Sequence, residues 1–205
     1  MIEHAENIRD FTASAAERIA YVREHPGLED DPGQTELAMR SERDDDRLVF
    51  LRAAIQLAEE ADRRGTLPIG AVLVLDGDVV ARGMNSIWRP HRDLTRHAEM
   101  EALRAVPGEL WPRSREMTLF TTLEPCVMCA GAILLHRIGG LMFGSTDLYG
   151  GVGACLRDLP PYFREELSLV QWTGPVLSAE CDRLYRRVQE LEGRLSGGSS
   201  ALADA

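Results

Sequence analysis

Lysine is absent from this chain of 205 residues, so arginine supplies all 23 basic side chains. We assign that absence no function, because a bias in codon usage would produce it as well. The chain also lacks an apolar segment near its start and any apolar run of bilayer length. Nothing therefore indicates secretion or a membrane partner, and we expect a cytoplasmic protein.

Cysteine is scarce, with four residues in the whole chain. In a reducing compartment, cysteines act as ligands or core residues rather than disulfides. Cys126 and Cys129 form a C-x-x-C pair, which alone is compatible with a redox pair or half of a structural zinc site. No second C-x-x-C and no His-x₃-His accompanies it, so the ligands of a closed structural zinc site are missing.

Charge is distributed unevenly along the chain. Residues 1–46 hold 13 acidic and 5 basic residues, whereas residues 47–205 hold 20 acidic and 18 basic ones. We therefore predict an acidic extension over 1–46, made of a short amphipathic helix and a linker. The helix either covers part of the body or mediates self-association; a solvated leader is the alternative. A domain over 47–192 and a disordered tail over 193–205 follow.

The body alternates helical and strand patterns. Asp76-Gly77 separates two apolar runs and predicts a two-residue hairpin, and Pro125 fits the start of a helix. The predicted helices cover 47–64, 97–106, 126–137 and 178–191, and the predicted strands cover 69–75, 79–84, 117–121, 140–143 and 169–172. Helices interleaved with strands predict a mixed sheet covered on both faces, an α/β fold.

Two short motifs each begin a predicted helix. The first is His97-Ala98-Glu99, and the second is Pro125-Cys126-Val127-Met128-Cys129. A histidine and two cysteines supply three zinc ligands, which leaves the fourth position for water, as catalytic zinc requires. The combination of H-x-E with P-C-x-x-C is the signature of zinc-dependent base deaminases. We therefore predict Zn²⁺ bound by His97, Cys126 and Cys129, between two helix N-termini.

Residues 47–192 resemble the cytidine deaminase superfamily, most closely its bacterial tRNA-adenosine deaminase-like and guanine deaminase-like branch. The resemblance rests on the segments 68–72, 83–85, 97–99, 122–132 and 143–147. It implies a three-layer α/β/α sandwich with a five-stranded mixed sheet, and hydrolytic removal of an amino group from a nucleobase. It further implies Glu99 as the proton-carrying acid, Asn85 as a substrate-base ligand, and a homodimer.

The sequence departs from the tRNA-acting enzymes in ways that bear on the substrate. Asp93-Leu94-Thr95-Arg96 replaces their usual residues before His97, and the final helix mixes both signs of charge. A protein surface that binds tRNA should be basic, because contacts to phosphate supply most of the affinity for nucleic acid. We therefore expect a small nucleobase or nucleoside substrate, with wobble-adenosine deamination of tRNA as the alternative. A non-catalytic scaffold is a third hypothesis, against which an acid beside the metal argues.

The remaining candidates receive ordinary structural assignments. Arg89, Arg92 and Arg96 are expected to be solvated, with contact to a phosphate or sugar as the alternative. His91 is expected to be exposed, with lining of the site as the alternative, and His136 is expected to be packed or solvated rather than ligating. Cys155 and Cys181 are expected to be small core residues. A packing role is expected for Trp88, Trp111 and Tyr149, with stacking on a base as the alternative.

Overall fold

The computed structural model describes residues 47–193. The predictions for residues 1–46 and for the tail from 194 lie outside this range. The described helices are α1 Leu48–Arg63, α2 Ala98–Arg104, α3 Val127–Leu135, α4 Pro161–Leu167 and α5 Ser178–Leu191. The strands are β1 Gly70–Leu75, β2 Asp78–Met84, β3 Thr118–Leu123, β4 Gly140–Ser145 and β5 Gln171–Thr173. Two 3₁₀ segments cover Gly108–Glu116 and Val152–Asp158.

The five strands form one mixed sheet in the order β2-β1-β3-β4-β5. β1 is antiparallel to both neighbours, whereas β3, β4 and β5 run parallel. The hairpin between β1 and β2 turns at Asp76 and Gly77, as predicted. Their φ values of 53° and 83° are both positive, as a type I′ turn requires. The predicted α/β fold with a five-stranded mixed sheet is thereby confirmed.

Helices cover both faces of the sheet. Buried side chains of α1 and α5 form one cluster with Phe120 of β3, and those of α2 and α3 form another with Leu119. Two glycines allow this close packing: a Cβ on Gly70 would lie 2.1 Å from the Ala54 carbonyl oxygen of α1, and one on Gly83 would lie 2.1 Å from that of Ala98. Side chains at either position would push a helix off the sheet.

β3 and β4 each extend two residues further than predicted. Thr121 pairs with Phe143, and Leu123 with Ser145. Because Thr121, Thr122 and Ser145 are buried, their polarity does not end the strands as it would at the surface. Thr122 accepts a hydrogen bond from the Gly70 backbone N–H at 3.2 Å, which satisfies its hydroxyl inside the sheet.

The longer β3 leads directly to the helix of the second motif, α3. β3 ends three residues before Cys126, and the backbone N–H of Glu124 bonds the Ser145 carbonyl at 2.8 Å. The site therefore lies at the carboxyl ends of the parallel strands. None of the described helices is long and apolar enough to cross a membrane.

Candidate metal centre

Three donor atoms converge at the starts of α2 and α3. His97 and Cys126 are the N-cap residues of these helices, with extended backbone, and Cys129 lies in the first turn of α3. Both thiol sulfurs are 3.6 Å from Nδ1 of His97, and the three donors lie within 4.8 Å of one another. Ordinary Zn–S and Zn–N bonds at a tetrahedral angle place such atoms about 3.6 Å apart. The three residues are positioned to bind a metal, and their spacing and chemistry fit zinc.

The two thiols have different proton affinities without a metal. A hydrogen bond from the Cys129 thiol, followed by one from His97, lowers the pKa of Cys126 to about 4. The same hydrogen bond to Cys126, together with burial, raises the pKa of Cys129. The Cys126 thiolate in turn raises the pKa of His97. Cys126 therefore loses its proton more readily than an ordinary thiol, and the thiolate is the form that binds metal.

Glu99 lies beside the three donors without belonging to their set. Its side chain is only 3% exposed. Thr121 donates a hydrogen bond to Oε1 at 3.0 Å, and the Cys129 thiol lies 3.5 Å from Oε2. Burial raises the pKa of Glu99, so the carboxyl retains a proton more readily than a solvated glutamate. A buried acid next to a metal site can hold and release a proton.

Asn85 is completely buried at the end of β2. Its Oδ1 accepts hydrogen bonds from the Thr66 hydroxyl at 2.8 Å and from the Ile87 N–H at 3.2 Å. Its Nδ2 is also buried and has no hydrogen-bond partner in the described part of the chain. The Ser86 N–H donates a hydrogen bond to the Arg96 carbonyl at 2.9 Å and closes the loop between them. Asn85 directly precedes this loop and His97 directly follows it.

The sequence assigned no role to Glu124, although it directly precedes the second motif. It is 7% exposed, and its carboxylate accepts hydrogen bonds from the N–H groups of Asp147 at 3.0 Å and Gly153 at 2.9 Å. The loop so held includes Gly151, which forms a β-bridge with Cys126. Acidic residues are seldom buried without a partner, so the signal that identifies Glu124 is burial, which the sequence does not display.

Thr66 and Thr121 were also missed. Each hydroxyl donates to a site side chain, Thr66 to Asn85 and Thr121 to Glu99. Both residues are at most 2% exposed. Threonine occurs throughout strands and turns for other reasons, so only the three-dimensional structure distinguishes these two.

The other candidates lie where expected with two exceptions. His136 stacks on Trp111 with ring centroids 4.4 Å apart, and Cys181 is buried. Tyr149 is 78% exposed, so the packing role predicted for it is wrong: the tip of its loop projects away from the core. Arg96 is not simply solvated, because it forms an ion pair with Glu101 at 2.8 Å.

These features are those of a zinc-dependent deaminase. They are the mixed sheet, the His-Cys-Cys cluster at two helix N-termini and the buried acid beside it. Residues 44–145 match the model of the cytidine and deoxycytidylate deaminase zinc-binding region. The chain is 41% identical over 139 residues to the tRNA-specific adenosine deaminase of Bacillus subtilis, which covers 65% of this chain and 82% of the relative. The chain belongs to the cytidine and deoxycytidylate deaminase family, and Zn²⁺ is its cofactor.

Solved structures agree with this assignment. One from a study of A-to-I editing by tRNA:A34 deaminases at the wobble position is 35% identical, with a TM-score of 0.55, over 67% of this chain and 99% of that one. The guanine deaminase of Nitrosomonas europaea is 19% identical, with a TM-score of 0.55, over 69% of this chain and 83% of that one. At that identity the likeness concerns the fold alone.

Proposed function

We propose that this protein hydrolyses the exocyclic amine of an adenosine in tRNA and releases ammonia. The observation that carries the proposal is the 41% identity along 82% of the Bacillus subtilis tRNA-specific adenosine deaminase. The 35% identity to nearly all of a chain from the study of wobble-position editing supports the same substrate. This was the alternative in the sequence analysis, and it now takes precedence over a free base.

The side chains around the metal site suit hydrolytic deamination. When bound by His97, Cys126 and Cys129, zinc supplies a water of lowered pKa. Glu99 would take one proton from the attacking water and give it to the ring nitrogen of the base; it would then take the proton of the hydroxyl added to the ring carbon and give it to the departing amine. Water and the amino-substituted base become ammonia and the oxo base. The raised pKa of Glu99 suits a group that both accepts and donates.

Asn85 supplies a hydrogen-bond donor for the base. Its Oδ1 is occupied by Thr66 and Ile87, so the amide orientation is fixed and Nδ2 is left as the free group. A buried donor without a partner costs about 1–3 kcal/mol. A ring acceptor of the purine recovers that cost on binding, which gives Asn85 its role in recognition.

Deamination of a free nucleobase or nucleoside is the second candidate. It is favoured by the charge of the body, since residues 47–205 hold 20 acidic and 18 basic residues. A protein whose affinity rests on phosphate contacts usually carries a basic surface. The two candidates share the zinc site and Glu99, and they differ in whether a polynucleotide must be bound.

The test pairs two assays on zinc-loaded protein. Inosine is measured by mass spectrometry in a tRNA with a wobble adenosine, and ammonia is measured with adenine, guanine, cytosine and their nucleosides. Inosine in tRNA without ammonia from the small substrates supports the proposal. Ammonia from a small substrate alone refutes it in favour of the second candidate, and inactivity in both assays favours a scaffold.

The homodimer implied by the family resemblance remains a proposal as well. α3 exposes Val127 by 60% and Leu135 by 59%. Burial of these apolar side chains against a second copy of the chain would be favourable. Light scattering measures the mass in solution, and a monomer at all concentrations would contradict the proposal.

A further inference from the structure

A groove of about 720 Å³ runs along the outer edge of β2. Among the strands that the structure describes, β2 is the terminal one and pairs only with β1. The end of α1 and the side of α2 form the two walls, and the loop after β2 closes one end. The charged side chains that line the groove are Arg64, Arg82, Arg89, Arg96 and Glu101.

The groove is basic although the protein is acidic. Arg64 pairs with Glu60 at 2.7 Å, and Arg96 pairs with Glu101 at 2.8 Å. Arg82 and Arg89 are exposed and form no ion pair with the acidic residues that the structure describes. Two uncompensated guanidinium groups therefore face one concave surface, where their fields add.

The groove includes Asn85, the proposed ligand of the base. Met84, Asn85 and Ser86 all line it, and Ser86 bonds Arg96, the residue before the ligand His97. The buried Asn85 amide, which lacks a partner for Nδ2, thus belongs to the lining of the groove. With Asn85 as the ligand of the base, an RNA strand held in the groove would present its adenosine there.

We propose that this groove binds phosphates of the RNA strand that delivers the adenosine to the zinc site. The inference rests on the proposed function and specifies which surface holds the polynucleotide. Guanidinium groups bind phosphate oxygens through paired N–H donors. Arg82 and Arg89 come from β2 and the loop after it, and Arg64 directly follows α1. Several guanidinium groups in one groove can bind more than one phosphate of a strand. The positive charge of the groove would allow RNA binding although acidic and basic residues are nearly balanced over residues 47–205.

The test is a double substitution, Arg82→Ala with Arg89→Ala, in the full zinc-loaded chain. Both residues are exposed, so the fold and zinc content should be unchanged. Binding of an anticodon stem-loop RNA is followed by fluorescence anisotropy at several salt concentrations. We expect roughly tenfold weaker binding, and a salt slope shallower by about 0.7 for each phosphate that the variant no longer neutralises. At saturating RNA, kcat should be retained while KM rises.

Arg164→Ala is the control for loss of an arginine outside the groove. Arg164 is exposed on α4, which leads into β5 at the opposite edge of the sheet, and the substitution removes one of the two charges that the double variant removes. Its Kd should stay within about twofold of the parent. Equal Kd and salt slope for the parent, the control and the double variant would overturn the groove proposal.

Two further arms separate the possible failures. If adenosine monophosphate binding depends on Arg82 and Arg89 while RNA binding does not, the groove is a mononucleotide site and the proposal is wrong. Inosine formation with RNA binding insensitive to both arginines overturns the groove alone. RNA binding that depends on both arginines without inosine formation supports the groove and overturns the proposed function.

Discussion

The hydroxyl of Thr66 donates a hydrogen bond to Oδ1 of Asn85 over 2.8 Å, inside the protein. Together with the Ile87 N–H, it fixes the side-chain amide in one orientation. The Ile87 backbone can only donate, so the oxygen must face it, and Nδ2 must point the other way. The Ile87 N–H thereby determines that the pocket is offered a donor rather than an acceptor, and the Thr66 hydroxyl holds the amide in that orientation.

Thr66→Val tests this positioning. Valine keeps the shape of threonine but cannot donate, so Asn85 keeps one of its two anchors and gains freedom to rotate. We expect KM for the substrate to rise several-fold with little change in kcat, and a loss of stability of about 1 kcal/mol. Thr66→Ser, which retains the hydroxyl, should restore the parent KM. Equal KM values for the two variants would contradict the positioning role.

The metal ligands were predictable because their chemistry is local. His97 and Cys126 stand at helix starts marked by flanking sequence, and Cys129 follows at a fixed spacing within one turn. The alternation of helices and strands likewise predicted the sheet, since period and turn residues are sequence properties. These features require only the order of residues along the chain.

The residues around the ligands were not predictable in the same way. Thr66, Thr121 and Glu124 act through contacts 19 to 29 residues away in the chain. The exposure of Tyr149 and the ion pair of Arg96 likewise depend on how loops settle on the folded body. Such contacts follow from packing between elements, which residue types alone do not specify.

Cys126→Ala should remove the metal from the purified protein. Two donors would remain at the start of the two helices, one fewer than the three protein ligands that a catalytic zinc requires. Because the bound ion ties α2 to α3, the variant should also unfold at a lower temperature than the zinc-loaded parent. Cys155→Ser is the matched control, since Cys155 lies in the 3₁₀ segment after Gly151 and outside the donor cluster. Metal analysis decides the matter: a full complement of zinc in Cys126→Ala would refute the ligand assignment.

Glu124→Gln should destabilise the protein by about 1–3 kcal/mol. The carboxylate accepts hydrogen bonds from both Asp147 and Gly153, whereas glutamine offers one acceptor oxygen and turns its NH₂ toward the other donor. The loop packs tightly on this side chain: a Cβ at Gly151 or Gly153 would lie 2.6 or 2.4 Å from the carboxylate oxygens. The NH₂ group of glutamine would therefore stay close to the backbone donor that it faces.

Denaturant unfolding measures the effect, with Glu109→Gln as the control. Glu109 is exposed, so its substitution should change the free energy of unfolding by less than about 0.5 kcal/mol. Similar values for the two variants would show that the loop does not depend on Glu124.

The last prediction separates proton transfer from metal binding at Glu99. If Glu99 were a ligand, Glu99→Gln would weaken zinc binding; if it were only structural, turnover would change little. The proposed mechanism requires a third result. Glutamine keeps the size and the Thr121 hydrogen bond but cannot carry a proton, so zinc should remain while turnover falls. General acid–base catalysis contributes about 10²–10⁴-fold, and Glu99 serves more than one proton transfer, so we expect a loss at or above the upper end. Zinc content and inosine formation are measured on the same preparation. Retained zinc with turnover within tenfold of the parent would exclude Glu99 as the proton carrier.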